Sequence, residues 1–244
     1  MIAQTKAELL KLRSTRTTLG LVLGMIALIV LFGLLTGLLT KTAAASGRTD
    51  QMALLDIGSL AGLFSALAGI LLVTSEYRYG TIRPTFLFDP RRARVVTAKL
   101  TAGVLAGIAL ALVAQALSAV ITYICLSARG ITFVLSTRDV LLIVLGTLAA
   151  VALWGALGVA IGFIVRNQVG SIIGLLAWGF IVDSLLYVFV PSIGRFTPGR
   201  AQDALAGITA KHLLTPATGG AVLIAWTAAL ALAAVAFTAR RDVT

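Results

Sequence analysis

The sequence is poor in charge, and this excludes an ordinary soluble globular protein. Only 12% of its 244 residues are charged, 59% are hydrophobic, and the mean hydropathy is +1.03. Such a composition needs lipid as the solvent for most of the chain. A bilayer core of about 30 Å takes about 20 apolar residues per helix, so long uncharged runs are expected.

Cysteine and histidine each occur once. Cys125 lies inside an apolar run, which excludes an intrachain disulfide and a cysteine metal cluster. His212 has no neighbouring carboxylate or cysteine arrangement, which argues against a metal site or a Ser-His-Asp device. No Gly-Lys pair occurs, so the phosphate loop GxxxxGK[ST] is also missing. We assign no catalytic residues and expect this chain to bind no cofactor itself.

Acidic residues are scarce as well, with nine Asp and Glu against 20 Lys and Arg and a net charge of +11. An excess of this size can indicate a nucleic-acid-binding protein. Here the basic residues lie in short segments between apolar runs rather than along one soluble face. We interpret them as determinants of topology, with membrane lipids and not nucleic acid as the partner.

Six apolar runs are each long enough to span a membrane. The hydrophobic core of a signal peptide has about 7 to 15 residues. The first apolar run is longer, so we interpret it as a transmembrane helix. The predicted fold class is an all-α membrane protein with one transmembrane domain, residues 1–244, and both termini on the same side. The six runs are residues 18–39, 54–75, 98–128, 140–165, 169–190 and 217–239.

The distribution of Lys and Arg predicts the orientation. One side of the membrane receives 13 of these residues and the other receives seven. Because cytoplasmic segments carry the excess, we expect a multi-pass protein of the cell (plasma) membrane with cytoplasmic N- and C-termini. The cytoplasmic set is Lys6, Lys11, Arg13, Arg16, Arg78, Arg83, Arg91, Arg92, Arg94, Lys99, Arg166, Arg240 and Arg241. The external set is Lys41, Arg48, Arg129, Arg138, Arg195, Arg200 and Lys211.

Local signals mark several helix boundaries. Residues 136–139 read STRD, a capping box that opens the fourth span. Asp89 before Pro90 and Thr215 before Pro216 each place an N-cap residue ahead of a proline at the first helical position. Glycines spaced by four allow close helix approach in lipid. These pairs are Gly20 and Gly24, Gly33 and Gly37, Gly58 and Gly62, Gly103 and Gly107, Gly158 and Gly162, and Gly170 and Gly174.

The connection between the second and third spans, residues 76–99, is longer than a tether needs to be. Glu76 and Arg78 lie where the second span reaches the interface, and Gly80 can end that helix. Residues 81–88 are predicted to form a short surface helix. Its expected anchors are Phe86, Leu87 and Phe88.

Three arginines follow Pro90 at the positive end of the next helix dipole, where cations are unfavourable. They are Arg91, Arg92 and Arg94. Anionic lipid headgroups can offset this placement. An acidic or polar protein that docks under the membrane is the alternative.

The order of these motifs resembles the ABC type-2 permeases, the six-span subunits of bacterial exporters. The likeness rests on residues 76–82, which read EYRYGTI, followed by Pro-Arg-Arg at 90–92 and Lys99. It continues with Arg-Asn-Gln at 166–168 in a tight cytoplasmic turn. It ends with Pro-Gly-Arg-Ala at 198–201, followed by Ala204 and Leu205.

This resemblance implies that residues 76–99 carry a coupling helix that contacts a separate ABC ATPase subunit. ATP and Mg would then be bound by that partner. A second copy of this chain, or a related permease, would complete the membrane domain. The residues expected to couple to the ATPase are Glu76, Arg78, Gly80, Thr81, Arg83, Arg91, Arg92 and Arg94.

Two further segments are compared with the same family. Residues 1–17 would be its N-terminal interfacial helix, and the alternative is a basic tail that serves only topology. Residues 191–216 resemble the short re-entrant or surface helices that the family places between spans five and six. The apolar side chains expected to share a face of the N-terminal helix are Ile2, Leu9, Leu10 and Leu12.

Asp183 is the only acid well inside a span, which makes it a candidate for the substrate path, together with Tyr187 one turn later. Tyr187 or Ser184 can instead hydrogen-bond it in a structural role. Asp56 lies near a helix start, where the positive end of the helix dipole stabilises a carboxylate and no functional role is needed to explain it.

The resemblance favours the permease of an ATP-driven exporter. The alternatives are an ATP-independent secondary transporter or channel, or a membrane scaffold. A proton-coupled carrier would use Asp183, but such carriers usually place several ionisable groups at the midplane in repeated halves. We find no convincing internal repeat.

Overall fold

The computed structural model describes residues 2–89 and 91–240, and within these ranges the regular structure is entirely helical. Six helices are long and apolar enough to cross a membrane, which confirms the six predicted spans. Pro90 and Arg241, which entered the predictions above, lie outside the described residues. Spans 1 to 6 are Arg16–Leu39, Arg48–Arg78, Arg92–Ala128, Thr137–Val165, Gln168–Phe189 and Pro216–Ala239.

Five shorter helices are described around these spans. One precedes span 1, one follows it, one lies between spans 2 and 3, and two lie between spans 5 and 6. They are Ile2–Ser14, Thr42–Ala45, Ile82–Phe88, Pro191–Gly194 and Pro198–Leu205.

Spans 2, 3 and 4 form the centre of the bundle, and glycines let their backbones touch. A Cβ added at Gly158 would collide with the backbone of Ala66, and one added at Gly155 would collide with the carbonyl oxygen of Gly103. Gly174, by contrast, has no non-local atom within 4 Å of such a Cβ among the described residues. Glycines therefore let the backbones of spans 2 to 4 touch, but not every glycine of the sequence pairs lies at a close contact.

We expect Gly158→Val to destabilise the protein by about 3 kcal/mol, because the new side chain meets backbone that has no room to move. Gly174→Val makes the same chemical change in open space and serves as the matched control. Thermal unfolding of both purified variants in detergent measures the difference. Equal melting temperatures would contradict the packing described here.

Span 2 is not a uniform α-helix. It consists of Arg48–Leu55, a tighter 3₁₀ segment Asp56–Leu60, and Ala61–Arg78. Polar groups of span 3 satisfy the carbonyls at this change of pitch. Gln115 donates to the carbonyl of Leu55 at 3.2 Å, and Ser118 donates to the same carbonyl at 2.9 Å. Because these hydrogen bonds satisfy a backbone carbonyl group that would otherwise lack a partner, an irregular turn can lie at membrane depth.

Two of the three predicted helix starts are confirmed. Ser136 and Asp139 form the reciprocal capping box at the start of span 4. Span 6 begins at Pro216 as predicted. Span 3 begins at Arg92, two residues later than predicted, because Asp89 accepts a hydrogen bond from the backbone N–H of Arg91 at 3.1 Å in a local turn.

Candidate functional sites at the two ends of the bundle

A buried ion cluster lies at the end of the bundle where the N-terminal helix, residues 79–89 and the last turn of span 6 meet. We call this end the base and the opposite end the top. Lys99 of span 3 is fully buried, and its Nζ lies 2.7 Å from Glu8 Oε2 and 2.8 Å from Glu76 Oε1. These are the only two glutamates in the sequence. The cluster therefore joins the N-terminal helix to spans 2 and 3.

Three further contacts complete this cluster. Lys99 also donates to the carbonyl of Leu72 at 3.2 Å. Lys11 Nζ lies 2.7 Å from Glu76 Oε1 and 3.2 Å from Glu8 Oε1. Burial lowers the pKa of the half-exposed Lys11, but the two glutamates outweigh burial and raise it overall. Lys11 is therefore held as a cation. Desolvation is tolerable here because opposite charges and hydrogen bonds meet in one place.

The N-terminal helix packs on the base with a narrower apolar face than predicted. Leu12 is buried and Leu9 is half-buried against spans 2 and 3, whereas Ile2 and Leu10 are exposed. A polar contact fixes the other end of the helix, since Gln4 donates to Asp89 at 3.1 Å. The helix thus touches both ends of the connection between spans 2 and 3.

The connection turns sharply and then forms a short helix, as predicted. Span 2 ends at Arg78, and Gly80 adopts φ +69°, a left-handed conformation that glycine takes at little cost. The helix Ile82–Phe88 follows, with Thr81 exposed just before it. Of its three predicted anchors, Phe86 is buried in the bundle, while Leu87 and Phe88 are more than four-fifths exposed.

The arginines of the connection divide into two groups. Arg92 is half-buried and donates to the carbonyl of Thr238 at 3.0 Å, so it ties the start of span 3 to the end of span 6. The remaining four are exposed. They are Arg78, Arg83, Arg91 and Arg94.

The turn between spans 4 and 5 also lies at the base. Arg166 adopts φ +57°, and the side chain of Asn167 accepts a hydrogen bond from the backbone N–H of Gly170 at 2.8 Å. The guanidinium of Arg166 lies 5.4 Å from the ring centre of Tyr77. The turn at residues 166–168 therefore contacts the end of span 2 at the base.

The top of the bundle holds a second cluster of charge. Asp183 of span 5 is 4% exposed, and its Oδ2 lies 3.5 Å from Arg200 Nε in the helix Pro198–Leu205. Arg200 also contacts Asp203 at 3.0 Å. Gly199 permits this approach, since a Cβ there would lie 2.8 Å from Asp183 Oδ2.

Tyr187 lies beside this cluster and does not hydrogen-bond Asp183. Its ring centre is 4.6 Å from the Arg200 guanidinium, and its hydroxyl donates to the carbonyl of Lys211. Burial raises the pKa of Asp203, the charge of Asp183 adds to this effect, and Arg200 opposes it. A widened π-helical turn, Trp178–Val182, precedes Asp183. Such turns are frequent at functional sites.

Sequence reasoning missed the partners in both clusters. Glu8 and Lys99 are 91 positions apart, and no local pattern joins them. One signal was present, because a lysine next to an apolar run and two lone glutamates need each other in lipid. Arg200 was noted only as an external positive charge and for the family resemblance, although its guanidinium lies beside Asp183.

Comparisons with known proteins add no family assignment. No protein-family model matches this chain, and no curated protein matches it significantly. The functional conclusion therefore depends on the chain's own residues.

Proposed function

We propose that this chain is the membrane-spanning permease subunit of an ATP-driven ABC exporter. It resides in the plasma membrane with both termini in the cytoplasm, so the base faces the cytoplasm. A separate ABC ATPase binds ATP and Mg and docks on the base. A second copy of this chain, or a related permease, completes the transport path.

One observation carries this proposal, namely a cationic connection that is exposed in the middle and anchored at both ends. Glu76 and Lys99 hold its ends in the buried cluster. Gln4 of the N-terminal helix holds Asp89 between them. A segment held in this way can transmit a push to spans 2 and 3, because it cannot yield without moving them.

The buried and exposed members of the connection have different roles in this proposal. Glu76 is 5% exposed, so its side chain positions the connection and does not face the ATPase. Arg92 likewise holds span 6. Contact with the partner falls to the exposed side chains, among them Arg83 and Arg94, with Gly80 and Thr81 shaping the turn before them.

Co-expression with a P-loop ABC ATPase encoded in a neighbouring reading frame tests this function. We expect the two chains to co-purify from detergent-solubilised membranes as a stable complex. Purification of this chain without that ATPase, under conditions where both are expressed and folded, would overturn the proposal.

The proposed orientation has its own test. Cys125 is buried, and Cys125→Ser gives a background in which single cysteines report the side of the membrane. We expect Arg83→Cys to react with a membrane-impermeant maleimide only after the cells are opened. Thr209→Cys should react in intact cells. The reverse pattern would place the base outside the cytoplasm.

The polar cluster at the top is the observation that favours the second candidate, an ATP-independent carrier. Ionisable groups buried at membrane depth are typical of such carriers. Asp183 meets this description, and the partly exposed Arg200 and Asp203 lie beside it. One measurement distinguishes the two candidate functions. An ATP-independent carrier transports its substrate without nucleotide or ATPase, and an ABC permease does not.

A further inference from the structure

A cleft of about 440 Å³ opens beside the Asp183 cluster. Its volume lies within the range of small-molecule sites, which is about 300–1,000 Å³. Spans 2, 4 and 5 and the helix Pro198–Leu205 form its walls. Much of the lining is apolar, including Leu60, Leu63, Leu175 and Phe180. The ring of Phe180 is itself exposed.

The charged lining of the cleft is unbalanced towards the negative. Two carboxylates, Asp183 and Asp203, share the single guanidinium of Arg200 among the described lining residues. Arg200 satisfies Asp203 by a hydrogen bond but only approaches Asp183. The carboxyl group of Asp183 thus lacks a full set of partners inside the membrane domain, which is costly unless a further cationic donor meets it.

Three buried polar atoms of the lining have no hydrogen-bond partner among the described residues. Asp183 Oδ1 accepts no hydrogen bond, and neither Trp154 Nε1 nor Arg200 Nε donates one. Asp183 and Trp154 are more than nine-tenths buried. A group left in this state calls for a ligand that supplies the missing partners. The carboxylate needs a donor, and the indole N–H needs an acceptor.

We propose that this cleft binds an amphipathic organic cation that also carries a hydrogen-bond acceptor. A cationic N–H group pairs with Asp183, the acceptor takes the Trp154 N–H, and the apolar body lies against Leu63 and Phe180. No group of three or more His, Cys, Asp or Glu side chains in the described ranges is placed to hold a metal ion. The identification of this ligand as cargo rests on the proposed transport function, whereas its binding does not.

Binding of rhodamine 6G to the purified full chain in phosphatidylcholine nanodiscs tests the site. This probe is a fluorescent cation with an ester carbonyl, and its anisotropy reports binding. We expect saturable binding that Asp183→Asn weakens by about tenfold or more, since a hydrogen bond to a charged group is lost. Trp154→Phe should weaken it by about fivefold. Asp50→Asn removes an acid that does not line the cleft and should change nothing.

A matched pair of competitors keeps the test decisive even when a variant fails to fold. Propranolol, a cationic amine with ether and hydroxyl oxygens, should displace the probe from the wild-type protein. Its uncharged N-acetyl derivative should not. Equal displacement of the probe by both compounds would overturn the proposal. Absence of saturable probe binding would overturn it as well. No ATPase is present, so this failure is distinct from failure of the proposed function.

Discussion

Lys99→Met is expected to destabilise the protein by about 3–5 kcal/mol, which is the usual cost of removing one partner from a buried ion pair. Methionine fills a similar volume, so the cost arises from charge and not from a cavity. Glu8 and Glu76 would remain buried, with only the half-exposed Lys11 to compensate both carboxylates. The N-terminal helix would lose its main polar anchor.

The measurement is thermal unfolding in detergent, with Lys6→Met as the control. Lys6 is an exposed lysine on the N-terminal helix, so its replacement should leave the melting temperature within about 1 °C. Adding Glu8→Gln and Glu76→Gln to Lys99→Met should recover most of the loss, because the uncompensated charges are gone. Equal stability of Lys99→Met and Lys6→Met would contradict the cluster.

Reversal of the exposed cationic surface of the connection is expected to weaken ATPase binding by at least about 100-fold. The change is the triple variant Arg83→Glu, Arg91→Glu and Arg94→Glu. If an acidic or polar surface of the ATPase faces these side chains, like charges then meet across the interface. The buried cluster is untouched, so the permease itself should stay folded.

Affinity between the purified permease and the ATPase measures this effect at fixed salt, since exposed charges are screened. The matched control carries the same charge change at the top of the bundle, with Lys41→Glu, Arg138→Glu and Arg195→Glu. Those three side chains are also exposed. Loss of binding in both triple variants would show a general charge effect and contradict a specific docking surface.

The sequence predicts the features that depend on neighbouring residues. The six spans follow from apolar length, and the start of span 4 follows from Ser136 and Asp139. The turn at Gly80 and the helix Ile82–Phe88 are also local. The start of span 3 was misplaced because Asp89 holds Arg91 in a turn before the helix begins.

Contacts between distant segments could not be predicted in the same way. Lys99 was counted as a topology signal, and only the fold brings Glu8 to it. Asp183 was singled out as an acid inside a span, and it lies buried in span 5. Its contact with Arg200 depends on a helix that follows span 5 and packs back on it. Hydrophobic periodicity and composition do not indicate which distant segments of the chain pack against each other.

The central claim is that ATP hydrolysis on a separate subunit drives this chain to transport a substrate across the membrane. The direct measurement is hydrolysis and transport in proteoliposomes that contain the chain with the ABC ATPase from the neighbouring reading frame, and in matched vesicles that lack the ATPase. We expect the wild-type chain to alter the ATPase rate, and rhodamine 6G to cross the membrane only with ATP and both proteins. Transport by this chain alone, without nucleotide or ATPase, would contradict the claim and identify an ATP-independent carrier.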